Sequence, residues 1–374
     1  MFVKVIEKKL NIKKRILHIV SDEKFIDSAS RDFNGANPNG NTYLLPEKSK
    51  KLQFIKKTNV YFVNSKIFPY ILPLFSFFFK CIIFHSLYKD SHKKAIKFIP
   101  PWVNVCWISW GFDLYPLFFN SDQILRKKTL ELIKNTSDLS KNFKSKNLNH
   151  FSIKAIQRID FFSTVLPLEF DFIKSEFNIN DTKYISWNYL NLEDDIIRGF
   201  ENKTVSGNNI LISHSASVEN NHLDSFDDII NSNLNFEKII CPLSYGNSKY
   251  GDYVEKKGFD IFGNKFYPIR EFLPYEEYVN LLISCNISVF GSVRQIGLGN
   301  ILLMLYLGSS VVLDKSSITY DFFSNRGIKI FNQLNFNLSI NNDELIFTRR
   351  SLEEIWSKEN KRKRTMQFVK KVIV

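Results

Sequence analysis

The chain has 374 residues, 44% of them hydrophobic, and a formal net charge of +13, so it is predicted to be globular rather than disordered and long enough for two domains. Its four cysteines, Cys81, Cys106, Cys241 and Cys285, form no CxxC pair, which excludes a disulfide scaffold and predicts buried free thiols. The first residues lack the apolar core and cleavage site of a secretory signal peptide.

The positive charge is confined to one half of the chain. Residues 1–168 contain 28 Lys and Arg against 12 Asp and Glu, whereas the remainder contains 23 against 26. A basic half favours an anionic partner, either nucleic acid or an anionic membrane surface. The sequence contains no recognisable nucleic-acid-binding motif, so we do not predict nucleic acid as a partner.

Short apolar runs alternate with helical stretches along the first half. The predicted strands are 15–20, 60–63, 81–86 and 104–109. The most apolar segment, residues 69–84, is shorter than the ~20 residues of a membrane span and is interrupted by Pro73 and Lys80. We therefore predict a helix that leads into a buried strand.

The second half repeats this scheme, with predicted strands at 209–215, 238–244, 287–292 and 310–315. Continuous apolar strands separated by helices are typical of parallel sheets covered on both faces. The polar segment 201–209 is the best candidate linker. The predicted fold is α/β, with two Rossmann-like doubly wound domains at 1–200 and 201–355, followed by a basic tail or crossover helix at 356–374.

Polar clusters follow several predicted strands of the second half, where ligands of parallel sheets bind. One cluster, within 212–222, contains Ser213, Ser215, Asn220 and His222 near a helix start. The N–H groups of a helix N-terminus suit phosphate, although simple N-capping explains the same residues equally well.

A second cluster, SVRQIGLGN at 292–300, places Arg294 before Gly297 and Gly299 at the start of an apolar helix. Glycines allow close backbone approach, and a guanidinium binds phosphate oxygens in pairs, so the segment predicts a diphosphate site. The alternative is a tight turn with a surface arginine. Tyr245 follows a predicted strand, and Glu276 lies in the first turn of a predicted amphipathic helix. They are candidates to contact a base and a ribose or sugar hydroxyl.

In the first half, Asp113 follows a predicted strand within the aromatic stretch CWISWGFDLY, and His18 and His85 lie at or near strand ends. Three titratable groups at one sheet edge indicate a site, whereas Asp113 alone is also explained as a helix cap. GxSxG, HExxH, Walker and DxD motifs are absent, so we predict neither a metal nor a cofactor.

Together these segments resemble the enterobacterial-common-antigen type of fucosamine transferase, over roughly residues 80–320. The resemblance is carried by Trp107, Trp110, Gly111, Asp113, Leu114, Tyr115, Ser215, Asn220, His222, Pro242, Tyr245, Arg294, Gln295, Gly297 and Gly299.

The resemblance implies a GT-B enzyme whose two domains face a central cleft. It implies transfer of 4-acetamido-4,6-dideoxygalactose, or a close relative, from a dTDP-sugar to a polyprenyl-diphosphate-linked saccharide. It further implies a peripheral protein at the cytoplasmic face of the bacterial inner membrane. A nucleotide-sugar epimerase and a non-catalytic binding relative are the alternatives.

The polar clusters and the resemblance together predict roles for single residues. The donor would be bound by Ser213, Ser215, Asn220, His222, Tyr245, Glu276, Arg294, Gln295, Gly297, Gly299 and Asn300. The acceptor would be bound by His18, Trp107, Trp110 and Tyr115, and Asp113 or else His85 would accept the proton of its hydroxyl.

Overall fold

The computed structural model describes residues 15–47, 52–140, 150–177, 179, 181–336 and 338–373. These residues divide into two compact units. Unit 1 comprises the described residues of Met1–Phe118, Asn147–Asn191 and Lys358–Val374, and unit 2 comprises those of Phe119–Lys146 and Leu192–Ser357. Within this part of the chain, no helix combines the length and hydropathy needed to span a bilayer.

Unit 1 is built on a parallel sheet with the strand order β3-β2-β1-β4-β5-β6-β7. Its strands are β1 Ile16–Ile19, β2 Asn41–Leu45, β3 Val60–Phe62, β4 Cys81–Phe84, β5 Asn104–Ile108, β6 Phe161–Ser163 and β7 Lys183–Tyr184. Its helices are α1 Ile26–Ala36, α2 Phe68–Ser76, α3 Asp90–Ile96, α4 Tyr115–Phe118, α8 His150–Gln157, α9 Pro167–Phe177 and α16 Lys358–Ile373. The central strands are buried along their whole length, as parallel strands covered by helices require.

Unit 2 contains a second parallel sheet with the order β10-β9-β8-β11-β12-β13. Its strands are β8 Asn209–Ile212, β9 Ile239–Pro242, β10 Phe266–Ile269, β11 Cys285–Phe290, β12 Ser310–Leu313 and β13 Phe331–Asn332. Its helices are α5 Ser121–Ile124, α6 Lys127–Asn135, α7 Ser137–Ser140, α10 His222–Asn231, α11 Ser248–Phe262, α12 Tyr275–Ile283, α13 Leu298–Leu307, α14 Ile318–Ser324 and α15 Asn342–Trp356. A π-helical turn spans Leu192–Ile197, and 3₁₀ turns span Val218–Asn220 and Gly263–Lys265.

The two parallel sheets confirm the predicted pair of doubly wound domains. All eight predicted strands are present, the segment 69–84 forms α2 followed by β4, and the four cysteines are buried free thiols. The strands that were not predicted, β2, β6, β7, β10 and β13, are polar, very short or interrupted by proline. β10, for example, contains Pro268 and lies at the edge of its sheet, where a missing N–H is tolerated.

The described residues 119–140, which the predicted boundary at 200 assigns to the first domain, belong to unit 2. The Asp224 carboxylate accepts hydrogen bonds from the backbone N–H groups of Lys128 and Thr129 and from the Thr129 hydroxyl. Arg126 makes a paired contact with Asp228. The buried Asp224 carboxylate of α10 thus accepts hydrogen bonds from N–H groups at the start of α6 that have no partner within that helix. These bonds attach the segment to α10.

The C-terminal segment is a helix rather than a tail, and it packs into unit 1. Phe368 and Val372 lie in the same core cluster as Phe33. Lys361 is 1% exposed, forms a 2.5 Å ion pair with Asp32 and donates a hydrogen bond to the Tyr189 carbonyl. The expected linker, 201–209, also differs, since it lies within unit 2.

Candidate functional site

In each sheet the strand order reverses at one point, between β1 and β4 in unit 1 and between β8 and β11 in unit 2. The loops that leave the carboxyl ends of these strands diverge to opposite faces and form the crevice in which ligands of open parallel sheets bind. Seven of the predicted site residues lie in these loops: His85, Ser213, Ser215, Asn220, Arg294, Gln295 and Gly297.

The loop after β8 begins with a strained, buried serine. Ser213 has a left-handed backbone (φ 58°), and its N–H donates to the Val289 carbonyl of β11. Its hydroxyl has no hydrogen-bond partner among the described residues, although the side chain is fully buried. A strained residue with an unsatisfied polar atom at a switch point is a functional-site signal.

The rest of that loop is held by Asn220. Its amide nitrogen donates to the Ser215 carbonyl (2.7 Å) and to the Ser215 hydroxyl (3.1 Å). Asn220 is 1% exposed, so its side chain shapes the loop from the inside. A contact of Asn220 with the donor stays a prediction.

The loops after β8 and β9 pair through their backbones. The Ala216 N–H donates to the Tyr245 carbonyl, and the Asn247 N–H donates to the Ala216 carbonyl. Gly246 (φ 113°) has no room for a side chain, because a Cβ would lie 2.6 Å from the Ala216 carbonyl carbon. Close backbone approach thus fixes Tyr245 beside the β8 loop.

The loop after β11 meets the β8 loop through a second glycine. Gly297 (φ 71°) precedes α13, and a Cβ there would lie 2.5 Å from His214 Nδ1. Arg294 is 6% exposed and donates to the Gln295 carbonyl (2.9 Å) and to Glu219 in the β8 loop (3.2 Å). The structure therefore brings a buried guanidinium, the N-terminus of α13 and the β8 loop together, with Gly299 and Asn300 in the first turn of α13.

An aromatic pair lies at the neighbouring strand ends. The rings of Tyr245 and Phe272 are nearly parallel (10°) with centroids 5.8 Å apart, and the residues are 40% and 64% exposed. Burial of its hydroxyl raises the pKa of Tyr245 to about 12. Phe272 was not predicted, because nothing in the sequence distinguishes it from 35 other phenylalanines. Glu276 is exposed in the first turn of α12.

His222 is a core residue. Its ring is fully buried, Nδ1 lies 3.2 Å from the Tyr250 hydroxyl, and burial lowers its pKa to about 3. The expected donor contact of His222 is not supported, since a fully buried imidazole does not reach a ligand at the sheet edge.

In unit 1, His18 and His85 form a buried hydrogen-bonded chain. The Asn41 amide nitrogen donates to the Phe33 and Asn37 carbonyls, which turns Asn41 Oδ1 towards His18 Nε2 at 3.1 Å. Accordingly, His18 Nε2 carries the proton and Nδ1 accepts one from His85 Nε2 at 3.0 Å.

The chain ends at Tyr189, whose hydroxyl donates to His85 Nδ1 at 2.8 Å. Burial lowers the pKa of His18 to about 3 and holds that of His85 well below its usual range. Both rings are neutral, and all their nitrogen atoms are engaged. His18 also lies within β1 rather than at its end, so neither histidine is placed to contact a substrate.

Asp113 is 2% exposed and accepts three hydrogen bonds of 2.8 Å. One oxygen accepts from the Leu87 N–H and the Trp107 indole, and the other accepts from the Trp110 N–H. These bonds run to residues before Asp113 rather than to the first turn of α4, so the carboxylate is not the predicted helix cap. Burial raises its pKa while the three donors oppose the rise. Its observed role is to join the loops after β4 and β5.

The aromatic residues of this stretch divide into core and edge. Trp107 is completely buried and stacks on Phe162 (4.4 Å), and Tyr115 is 5% exposed, so the expectation that they line an acceptor is not met. Trp110 is partly exposed and packs against Phe25 (5.3 Å) and Tyr189 (4.2 Å). Trp110 alone of the three remains a candidate acceptor contact.

Glu23 is a candidate that sequence reasoning missed. It is partly exposed in the loop after β1, next to the switch point. Burial raises the pKa of Glu23, and the neighbouring Asp22 raises it further. The pKa of Tyr189 is raised mainly by burial, and the negative charge of Glu23 adds to that rise. The signal in the sequence was its position directly after a buried strand, but SDEKF resembles any polar helix start.

A depression of about 590 Å³ opens on unit 2 beside the carboxyl ends of β11 and β12. It is lined by Arg126 and Gln123 from the 119–146 segment and by Asp314 and Lys315 after β12. Sequence order hides this grouping, since it depends on the attachment of residues 119–140 to unit 2. In the described part of the chain, no three His, Cys, Asp or Glu side chains are grouped to hold a metal ion.

Solved structures share this architecture at low sequence identity. A glycosyltransferase from Rickettsia africae ESF-5 aligns with 97% of this chain and 99% of its own (TM-score 0.60, 11% identity). Anabaena Alr3699/HepE, solved with UDP and glucose, aligns with 96% of this chain and 100% of its own (TM-score 0.58, 9% identity). The trehalose-6-phosphate synthase OtsA aligns with 96% of this chain and 98% of its own (TM-score 0.59, 8% identity). These likenesses identify the fold as GT-B.

Sequence comparison identifies the family. The family described as 4-alpha-L-fucosyltransferase, glycosyl transferase group 56, matches residues 156–361, which is more than half of the chain and includes all of unit 2 after residue 191. The match includes the β8 loop, the aromatic pair and Arg294 with the N-terminus of α13. The chain therefore belongs to the group 56 4-alpha-L-fucosyltransferase family and is a glycosyltransferase of GT-B fold.

Proposed function

We propose that this glycosyltransferase moves 4-acetamido-4,6-dideoxygalactose, or a close relative, from a dTDP-sugar to a polyprenyl-diphosphate-linked saccharide. The reaction would serve bacterial surface polysaccharide synthesis, such as that of enterobacterial common antigen or O-antigen, at the cytoplasmic face of the inner membrane. Family membership supports the reaction class. The main structural support is that buried Arg294, the N-terminus of α13 and the β8 loop lie together at one switch point.

The donor diphosphate binds at this point of unit 2. The first N–H groups of α13, which follow Gly297, face an anion with the positive end of the helix dipole. Arg294 supplies the full positive charge and exchanges its contact with Glu219 for phosphate oxygens. The Ser213 hydroxyl supplies a further donor, and Ser215 and Gln295 support the two loops.

The nucleobase stacks on the exposed aromatic pair. Tyr245 and Phe272 present ring surface next to the β8 loop, and a planar base buries that surface. The likeness to a GT-B protein solved with UDP and glucose supports a nucleotide sugar as ligand. Glu276 and Asn300 lie at two neighbouring helix starts and accept hydrogen bonds from ribose or sugar hydroxyls.

The chain assists transfer in two ways. Arg294 and the helix N-terminus stabilise the charge that develops on the leaving diphosphate, a contribution typically worth about 10²–10³ in rate. A carboxylate of unit 1 accepts the proton of the attacking hydroxyl, and a base must come within hydrogen-bond reach of that hydroxyl. We assign this role to Glu23, because it is partly exposed whereas Asp113 is buried. The sequence-based assignment of Asp113 stays a prediction.

The acceptor binds to unit 1. Trp110, with Phe25 and Tyr189, offers a flat apolar surface to the face of a sugar ring. The excess positive charge of residues 1–168 suits a diphosphate lipid and the anionic leaflet around it.

A transfer assay tests the proposal. Purified protein is incubated with dTDP-4-acetamido-4,6-dideoxygalactose and a polyprenyl-diphosphate-linked disaccharide, and the products are read by mass spectrometry. We expect a product heavier by one acetamido-dideoxyhexose residue, and release of dTDP. Consumption of UDP- or GDP-sugars in place of the dTDP-sugar would overturn the donor assignment.

A further inference from the structure

One surface of unit 1 exposes an unusual amount of apolar side chain. Helix α2 buries Phe68, Leu72 and Ser76 on one face. On the opposite face Ile67, Tyr70, Leu74 and Phe77 are 51%, 78%, 68% and 55% exposed. Their spacing of three, four and three residues places these four side chains along one stripe of the helix. The helix is thus apolar on both faces, although one face is in solvent.

The loop after α3 extends this stripe. α2 packs on α3, and the Phe77 ring contacts Trp102 at 5.7 Å. Phe98 and Trp102 are themselves 62% and 64% exposed. We name Ile67, Tyr70, Leu74, Phe77, Phe98 and Trp102 the α2 patch. Contiguous exposed apolar surface of this kind marks an interaction site.

The chain segment that contains the α2 patch is strongly basic. Residues 52–103 contain eight lysines and a single acidic residue, Asp90. Asp90 pairs with Lys93, whose side chain is nearly buried, whereas Lys66, Lys94 and Lys97 are exposed. Aromatic and aliphatic side chains surrounded by lysines match the boundary between acyl chains and anionic headgroups.

We infer that the α2 patch is a docking surface for an anionic lipid bilayer, into which Tyr70, Leu74, Phe77 and Trp102 insert while the surrounding lysines contact headgroup phosphates. Charge complementarity favours an anionic bilayer, because the exposed Lys66, Lys94 and Lys97 belong to the same segment as the apolar side chains and attract anionic headgroups. The inference deepens the proposed function and depends on it for its purpose, since a polyprenyl acceptor resides in a membrane.

Vesicle flotation tests the surface. We expect wild-type protein to bind vesicles of phosphatidylglycerol and phosphatidylcholine, and to bind pure phosphatidylcholine at least tenfold more weakly. The double variant Leu74→Ser/Phe77→Ser should bind the anionic vesicles at least tenfold more weakly than wild type. The matched control Leu334→Ser/Phe347→Ser removes residues of the same types from exposed positions of unit 2 and should bind like wild type.

A fluorescence measurement reports insertion directly. Trp102 is 64% exposed, whereas Trp107, Trp187 and Trp356 are buried and Trp110 is partly so. Anionic vesicles containing brominated acyl chains should quench wild-type emission, and Trp102→Phe should abolish most of this quenching.

Three results would overturn the inference: equal vesicle binding by Leu74→Ser/Phe77→Ser, no binding by wild type, or a wild-type dimer that this variant dissociates, which would assign the patch to a protein contact. Thermal stabilisation by dTDP separates this failure from failure of the proposed function. If dTDP still stabilises the protein, only the docking surface is rejected; if vesicles bind but no nucleotide does, the donor assignment is rejected.

Discussion

The carboxyl edges of the two sheets share one topology but use their polar side chains in opposite ways. In unit 1, His18, His85 and Asp113 are buried and bonded to neighbouring groups. In unit 2, glycines bring the loops together through their backbones, and the N-terminus of α13 and the ring faces of Tyr245 and Phe272 remain accessible. A titratable residue beside a switch point is therefore not by itself evidence of a site, and the contacts that it makes have to be compared as well.

The largest expected effect separates the two candidate bases. Glu23→Gln should lower the transfer rate about 10²–10⁴-fold with little change in stability, because the carboxylate is partly exposed and acts on the substrate. Asp113→Asn should lower the free energy of unfolding by about 1–3 kcal/mol, because an amide cannot accept all three N–H bonds.

Steady-state kinetics and urea unfolding measure both variants, with Glu47→Gln as a control carboxylate of the same unit. The base works only when it is ionised, and the pKa of Glu23 is raised. Activity should therefore fall at acid pH with an apparent pKa above 4.5, the ordinary value of a glutamate. A stable Asp113→Asn protein with the greater loss of activity would return catalysis to Asp113.

The next effect concerns the helix that supports the unit 1 edge. Lys361→Met should lower the free energy of unfolding by about 3 kcal/mol, because it leaves Asp32, the Ser28 hydroxyl and the Tyr189 carbonyl without their buried cation. Lys363→Met, on the exposed face of α16, should change it by less than about 0.5 kcal/mol. Equal unfolding midpoints for the two variants in urea would show that the buried pair is not stabilising.

A smaller effect is expected from pH. Burial lowers the pKa of His92 from 6.5 to about 4, so below pH 6.5 the unfolded chain takes up a proton that the folded chain does not. Stability from this residue is therefore complete above pH 6.5 and is lost as the pH falls towards 4. At pH 5.5 the loss is about 1.4 kcal/mol for each such histidine, and His18, His85 and His222 act in the same direction.

Urea unfolding of wild type and His92→Gln at pH 7.5 and 5.5 measures this contribution. The variant should show a smaller stability difference between the two pH values, by about 1.4 kcal/mol. An identical difference in both proteins would mean that His92 is protonated in the folded state.

The smallest effect sharpens the description of the unit 2 edge. Phe272→Ala should raise the Kd for dTDP roughly tenfold, because stacking on an aromatic ring contributes about 1–3 kcal/mol per base. Binding of inorganic pyrophosphate should not change. Tyr267→Ala, at an exposed position of β10, is the matched control. If calorimetry finds that Phe272→Ala weakens the binding of dTDP and of pyrophosphate equally, the Phe272 ring does not stack on the base.

The sequence predicts the fold well because buried parallel strands such as CIIF and NILI are continuous apolar runs. It predicts the glycine loop of unit 2 because left-handed and closely packed backbone at Gly297 has a residue-type signature. Burial of individual side chains has no such signature. His222, Trp107 and Asp113 resemble ligand-binding residues in one dimension, and only the packing of distant segments around them reveals their structural roles.

Long-range attachment is equally invisible in the sequence. Residues 119–140 join unit 2 through Asp224 and Asp228, about a hundred positions further along the chain. Glu23 and Phe272 were not predicted because their roles depend on Tyr189 and Tyr245, which are distant in the sequence.

Nucleotide binding to unit 2 is the central claim, and thermal denaturation with dTDP, UDP, GDP and CMP tests it most directly. We predict that dTDP raises the unfolding temperature of wild type and of Glu219→Gln, whose change leaves the guanidinium in place. The rise should be absent in Arg294→Ala. An equal rise in Arg294→Ala, or a folded wild-type protein that no nucleotide stabilises, would contradict the account.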